Sequence, residues 1–187
     1  REKDQERGYP EEFVSALTAA GYLGALIPEQ YGGSGLPISA ASAILEEVHR
    51  AGCNGAACHA QLYMMGTVLR HGSPQQKQKF LPEIASGDLR LQAFGVTEPN
   101  AGSDTTSIET FARLEGDHYL VKGRKIWTTK ALESEKVLLL VRTQKKDEVQ
   151  RKTDGMTLLL ADLQKPEVSI SPIPKLGRNA VRTCEVV

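Results

Sequence analysis

The stretch from Phe94 to Asp104, Phe-Gly-Val-Thr-Glu-Pro-Asn-Ala-Gly-Ser-Asp, has the makings of a ligand loop. Leu91, Ala93 and Val96 form an apolar, strand-like run that passes straight into the turn residues Pro99, Gly102, Ser103 and Asp104. Gly95 interrupts a strict alternation, and Pro99 ends any ladder. Glycine beside serine lets another molecule approach bare backbone N–H groups and a hydroxyl with no Cβ in the way, and phosphate or pyrophosphate suits such a cradle. The competing reading is a strand leaving its sheet through a ligand-free turn. Further on, Gly123 to Thr129 carries the single tryptophan, Trp127, beside Thr128 and Thr129. Trp127 reads either as core or as a cofactor stack, and the two threonines suit any strand.

The elements that must hold these residues change character near residue 90. Before it the periodicity is helical. Phe13, Val14 and Leu17 recur at helix spacing between Pro10 and Ala20, with Gly21 as the stop. Ser39 to Arg50 places Ala41, Ile44, Leu45 and Val48 on one face. Ala56 to Leu69 is apolar nearly all round, as a more buried helix would be. Ser73-Pro74-Gln75-Gln76 is an N-cap, a proline at the first helical position and a capping-box partner, opening a helix that runs to about Ser86. Tyr22 to Pro37 is a glycine-rich loop, but neither a P-loop nor a dinucleotide fingerprint is present.

After Leu91 come short β runs: Thr110 to Leu114, His118 to Val121, Arg124 to Thr128, Val137 to Thr143, Met156 to Asp162 and Val168 to Ile170. Gln144 to Asp154 is a crowded charged link, read as a solvated hairpin loop. The expected class is α+β, with an α-helical domain over residues 1–90 and an antiparallel β-barrel-like domain over 91–187.

The chain has 187 residues, 40% of them hydrophobic, and its 23 basic and 23 acidic side chains cancel. No basic run offers a footprint for nucleic acid or an anionic membrane. No apolar run approaches the roughly 20 residues a membrane helix needs, and Arg1-Glu2-Lys3-Asp4 is unlike a signal peptide. The protein therefore reads as soluble and not secreted. Cys53, Cys58 and Cys184 have no C-x-x-C spacing and read as reduced thiols; with His49 and His59 they match no familiar zinc spacing. The missing initiator Met, and an end within the strand-like Thr183 to Val187, suggest a piece of something longer.

Val96 to Asp104 resembles the flavin-binding signature of the acyl-CoA dehydrogenase family. Gly123-Arg124-Lys125-Ile126-Trp127-Thr128-Thr129 resembles that family's second block, Gly-x-Lys-x-Trp-Ile-Thr/Ser-Asn. Pro28 to Gly35 and Gly72 to Gly87 are similar to the family's N-terminal loop and to its helix before the flavin loop. The resemblance covers essentially the whole chain, as the helical and middle β domains, with the family's C-terminal helical bundle absent and the β domain cut short at its end.

The resemblance implies FAD as cofactor. Phe94, Val96 and Thr97 are then expected along the isoalloxazine, Gly102 and Ser103 at the pyrophosphate with Ser103 also near the CoA moiety, and Trp127, Thr128 and Thr129 at the flavin, the Thr129 hydroxyl near N5. Glu98 is not the base in this family and reads as a loop or domain-contact carboxylate. The helix from Ala56 would border the acyl-chain cavity. The reaction implied is α,β-dehydrogenation of an acyl-CoA: a carboxylate takes the α-proton while the β-hydrogen leaves as hydride to flavin N5, and electrons pass to an electron-transfer flavoprotein.

The family's base lies in its C-terminal bundle, so no residue here is named as catalytic, and this fragment alone is expected to be inactive. A homo-oligomer, dimer or tetramer, is implied, in the cytoplasm of a bacterium or in the mitochondrial matrix or peroxisome of a eukaryote. Alternatives on the same fold are acyl-CoA oxidase or flavin monooxygenase chemistry, or a silent acyl-CoA-binding module. Two departures stand out: Thr128 and Lys130 replace the family's common Ile and Asn, and in Leu176-Gly177-Arg178-Asn179 the arginine arrives one residue early.

Overall fold

In the computed structural model, residue 6 and residues 8–187 are described. The opening Arg1-Glu2-Lys3-Asp4, unlike a signal peptide in sequence, lies outside the described residues. The chain divides into two compact units: one runs through Gln92 and takes in Lys175–Val181, and the other comprises Ala93–Pro174 with Arg182–Val187.

The first unit is helical: α1 (Glu11–Ala19), α2 (Ile38–Arg50), α3 (His59–His71) and α4 (Pro74–Ser86). Glu11 and Glu12 place negative charge at the positive end of the α1 dipole. The expected capping box opens α4: Gln76 N–H donates to Ser73 Oγ at 3.1 Å, and Ser73 N–H to Gln76 Oε1 at 2.8 Å. Gly87 closes it with a φ of 89°, where a Cβ would be strained. Ala56 and Ala57 lie in a single 3₁₀ turn, so the helix read from Ala56 starts at His59 and extends to His71.

Val14, Leu23, Ala56, Ala57, Cys58 and Val181 form this unit's core cluster. Val181 thus draws the late Lys175–Val181 segment into the helical unit. Gln61 and Gln92 are buried but satisfied: Gln92 Nε2 donates to Gln61 Oε1 at 3.2 Å, and Tyr9 Oη donates to Gln92 Oε1 at 3.1 Å.

The strands are β1 (Leu91–Gly95), β2 (Phe111–Glu115), β3 (His118–Lys122), β4 (Lys125–Thr129), β5 (Lys136–Arg142), β6 (Met156–Asp162), β7 (Ile170–Pro172) and β8 (Thr183–Val186). They make a five-stranded sheet ordered β1-β5-β2-β3, with β6 also on β5, and a three-stranded sheet ordered β4-β8-β7. The α+β class is as expected. The barrel-like outline resolves into two sheets that do not close, and β2 meets β5 in parallel through Phe111 and Arg142, while the other registered ladders are antiparallel. Ala93, Ala112, Val137, Leu139, Val141, Cys184 and Val186 fill the core between them. No helix among the described residues is long and apolar enough to cross a membrane.

Candidate functional site

The two motifs are brought side by side by one buried lysine. Lys125, the first residue of β4, sends its ammonium back to the loop after β1, donating to Val96 O at 3.0 Å and to Glu98 Oε1 at 2.8 Å. Glu98 also accepts from the N–H groups of Glu109 at 2.6 Å and Thr110 at 3.0 Å. A backbone bond from Ile126 N–H to Thr97 O at 2.9 Å completes the seam. Both charged side chains are nearly sealed, 2% and 7% exposed. Burial pushes the Glu98 carboxyl up, but the donors from Lys125 and the two amides outweigh it and hold the group below the ordinary carboxylate value. Burial pulls the Lys125 ammonium down, against the Glu98 charge that raises it. Glu98 is therefore a loop-fixing carboxylate.

Beyond Lys125 the β4 register against β8 shifts before Thr128, so Ile126 and Trp127 sit in a bulge. Trp127 takes a φ of 60° and Lys130 one of 62°, both rare for side-chain-bearing residues. The bulge turns Trp127 outward, leaving the indole 54% exposed, which the core reading of a lone strand tryptophan does not predict. Phe94 also points outward from β1, between buried neighbours.

Val96, Thr97 and Thr129 are half-buried, and Gly102 and Ser103 are exposed. Thr128 differs from the rest: its side chain faces the interior, fully buried, and its hydroxyl has no hydrogen-bond partner. The Thr129 hydroxyl lies 3.3 Å from that of Thr183. At Gly102 a Cβ would meet nothing within 4 Å, and its φ is not left-handed, so nothing inside the chain calls for glycine. Gly123 is the opposite, since a Cβ there would fall 2.3 Å from Thr110 Oγ1.

Past the loop, Asp104 caps the short Thr105–Ser107 turn, its Oδ1 accepting from Thr106 N–H at 3.0 Å and Oδ2 from the Ser107 hydroxyl at 2.7 Å. Arg142, at the end of β5, is buried without a carboxylate. Its guanidinium donates instead to the carbonyls of Thr106 at 2.6 Å, Lys152 at 2.8 Å, and Ile108 and Asp154 at 3.3 Å. With Ser107, Lys146 and Lys152 among others, it lines a cavity of about 320 Å³. Neither Arg142 nor Lys125 stood out in the sequence as a structural cation. The signal available for Lys125 was its fixed place in the second motif; Arg142 had none.

Two family models account for nearly all of the chain: the acyl-CoA dehydrogenase N-terminal domain matches residues 1–88 and the acyl-CoA dehydrogenase middle domain matches residues 93–187. The chain belongs to the acyl-CoA dehydrogenase family. It is 33% identical over 189 residues to the 3-(aryl)acrylate reductase of Clostridium sporogenes, covering 100% of this chain and 49% of that protein. It is also 33% identical over 180 residues to the mitochondrial isovaleryl-CoA dehydrogenase of Pongo abelii, covering 94% of this chain and 42% of that protein. The solved structure of butyryl-CoA dehydrogenase from Megasphaera elsdenii superposes with a TM-score of 0.87 at 27% identity, covering 100% of this chain and 49% of that one. The chain thus spans about half the length of the relatives it matches.

All three cysteines of this acyl-CoA dehydrogenase domain pair are thiols, Cys53 exposed and Cys58 and Cys184 buried, and no group of three metal-binding side chains converges among the described residues.

The residues fit a flavin on three counts. Two aromatic side chains face outward from adjoining segments, a backbone stretch at Gly102 and Ser103 is open to close approach, and the two motifs are locked together by a buried ion pair.

Proposed function

We propose that this chain is the helical and middle β portion of an FAD-dependent acyl-CoA dehydrogenase that oxidises an acyl thioester at its α and β carbons and hands electrons to an electron-transfer flavoprotein. The observation that carries the reading is the seam at Lys125, which joins the Gly102 loop to an outward-turned Trp127. On this reading the helical domain ends near residue 90 and the β domain follows it.

Phe94, Val96 and Trp127 would hold the flavin ring by apolar and aromatic contact, Thr97 would hydrogen-bond its polar edge, and Thr129 would present its hydroxyl near N5. Gly102 and Ser103 give N–H groups and a hydroxyl to the pyrophosphate, with Ser103 also reaching the acyl carrier. Thr128 acts from beneath: its buried side chain seats the strand rather than touching the ring. The flavin, when bound, supplies the hydride acceptor, and the protein supplies position and electrostatics. No residue of this chain is assigned as the base that removes the α-proton. Assembly as a dimer or tetramer belongs to the same proposal.

The test is an anaerobic visible spectrum of the whole gene product, before and after a panel of acyl-CoA thioesters. Flavin absorbance that bleaches with one chain-length class is the expected result. A protein that retains no flavin after reconstitution overturns the reading.

A further inference from the structure

The bulge that carries Trp127 is bounded on one side by the Lys125–Glu98 pair. Its other side ends in an equally tied turn. Lys130 N–H donates to Arg182 O at 2.8 Å, the Arg182 Nε donates to Glu133 Oε1 at 2.6 Å, and Glu133 N–H donates back to Lys130 O at 3.2 Å. These three bonds form a closed ring that joins β4's end, the turn after it and the residue leading into β8. Within that ring Lys130 is held at its left-handed φ. The Glu133 carboxylate is only 5% exposed, while Arg182 reaches out to solvent.

Register follows from this ring. Arg182 immediately precedes Thr183, which pairs with Thr129 through both backbone and hydroxyl, and Thr128 pairs with Cys184. Without the ring, β4 beyond the bulge has those two pairings alone to resist slipping, and a one-residue slip turns every side chain to the other face. Strained backbone persists only where its surroundings over-determine it. Trp127 and Lys130 are such positions, and the two ion pairs supply that over-determination from either side.

We infer that Glu133 and Arg182 are positioning residues, a clamp that fixes the turn after β4 and so aims Trp127 outward and Thr129 along the strand edge. The inference rests on the flavin reading for its functional consequence, though not for its geometry. Glu133 and Arg182 act through Thr129 and Trp127 and touch no ligand themselves.

The test compares Glu133→Gln, Glu133→Asp, Arg182→Gln and the Gln/Gln double variant with the unaltered protein. Two readouts are taken beside the melting temperature. The first is the steady-state anisotropy of Trp127, the only tryptophan of this chain, measured on the chain alone, and it needs no flavin. The second is FAD affinity of the whole gene product by flavin fluorescence titration. Each Gln variant is expected to lower the anisotropy and to weaken FAD binding about tenfold, which corresponds to roughly 1.4 kcal/mol. The double variant should be no worse than either single, since both break the same link. Glu133→Asp, which keeps the charge, should recover part of the affinity. Lowered melting temperatures with unchanged anisotropy and FAD affinity would overturn the clamp and leave a merely structural pair. Failure of the unaltered whole gene product to take FAD would overturn the flavin reading instead, and the anisotropy would then decide the clamp by itself.

Discussion

The ammonium of Lys125 lies 2.8 Å from Glu98 Oε1, with both side chains withdrawn from water and each supplied by a different sequence motif. Because each ion is the other's charge partner, the pair is sensitive to the loss of one member. Glu98→Ala leaves a buried ammonium with only the Val96 carbonyl as recorded acceptor. Such a change is expected to cost about 3–5 kcal/mol. Replacing both residues by apolar ones of similar size should cost less than the single change. Urea denaturation of Glu98→Ala and of the double variant measures this directly, and a double variant as unstable as Glu98→Ala would refute it.

The same pair sets an acid limit. Glu98 has a folded-state pKa below its unfolded value. Its stabilising contribution is therefore complete above the unfolded carboxylate value, about 4.3, and is lost as pH falls from there through the folded value. Unfolding free energy should decline over that window, and the slope should be shallower in Glu98→Gln. Asp104, Asp154 and Asp162 are shifted in the same direction by hydrogen bonds from Thr106, Arg151 and Gln164 respectively, so the variant should flatten the decline without abolishing it.

Gly102 and Gly123 look alike in sequence and should answer differently to alanine. At Gly102 the added methyl meets only open space, and stability should stay within about 0.5 kcal/mol of the parent while FAD affinity falls. At Gly123 the Cβ collides with the Thr110 side chain, and a loss of about 1–3 kcal/mol is expected. Thermal melts paired with flavin titration separate the two. Undiminished flavin binding in Gly102→Ala would count against a pyrophosphate at that loop.

Trp127→Gly relieves a left-handed backbone that costs an L-residue roughly 1–2 kcal/mol. The unfolded chain gains freedom worth about 0.5–1 kcal/mol in the other direction. The indole is 54% exposed, so glycine also gives up the burial of about half its surface, worth about 2 kcal/mol. Net stability should fall by about 1 kcal/mol, and flavin retention should be the property lost. A variant that melts far below the parent would show that Trp127 serves the core instead.

Much of the local architecture was legible because it depends on near neighbours. The Ser73 capping box, the Gly87 stop, the polar turn of Gly102 to Asp104 and the positions of the strands are short-range consequences of side-chain chemistry and periodicity. So was the content of the two motifs. Thr128, expected at the cofactor, faces inward because the bulge at Ile126 and Trp127 shifts the alternation by one. No count from the sequence shows a bulge, since it exists only in the register of β4 against β8, a strand far along the chain.

The amino-acid order alone determined the class, the helical and β halves, and the family, because motif spacing and hydrophobic period are properties of the chain as written. Tertiary structure decided which charges are buried and paired, why Trp127 faces outward, that the sheets stay open, and that Val181 joins the helical core. Those outcomes rest on contacts between residues far apart in sequence, whose energies depend on who else occupies the same space.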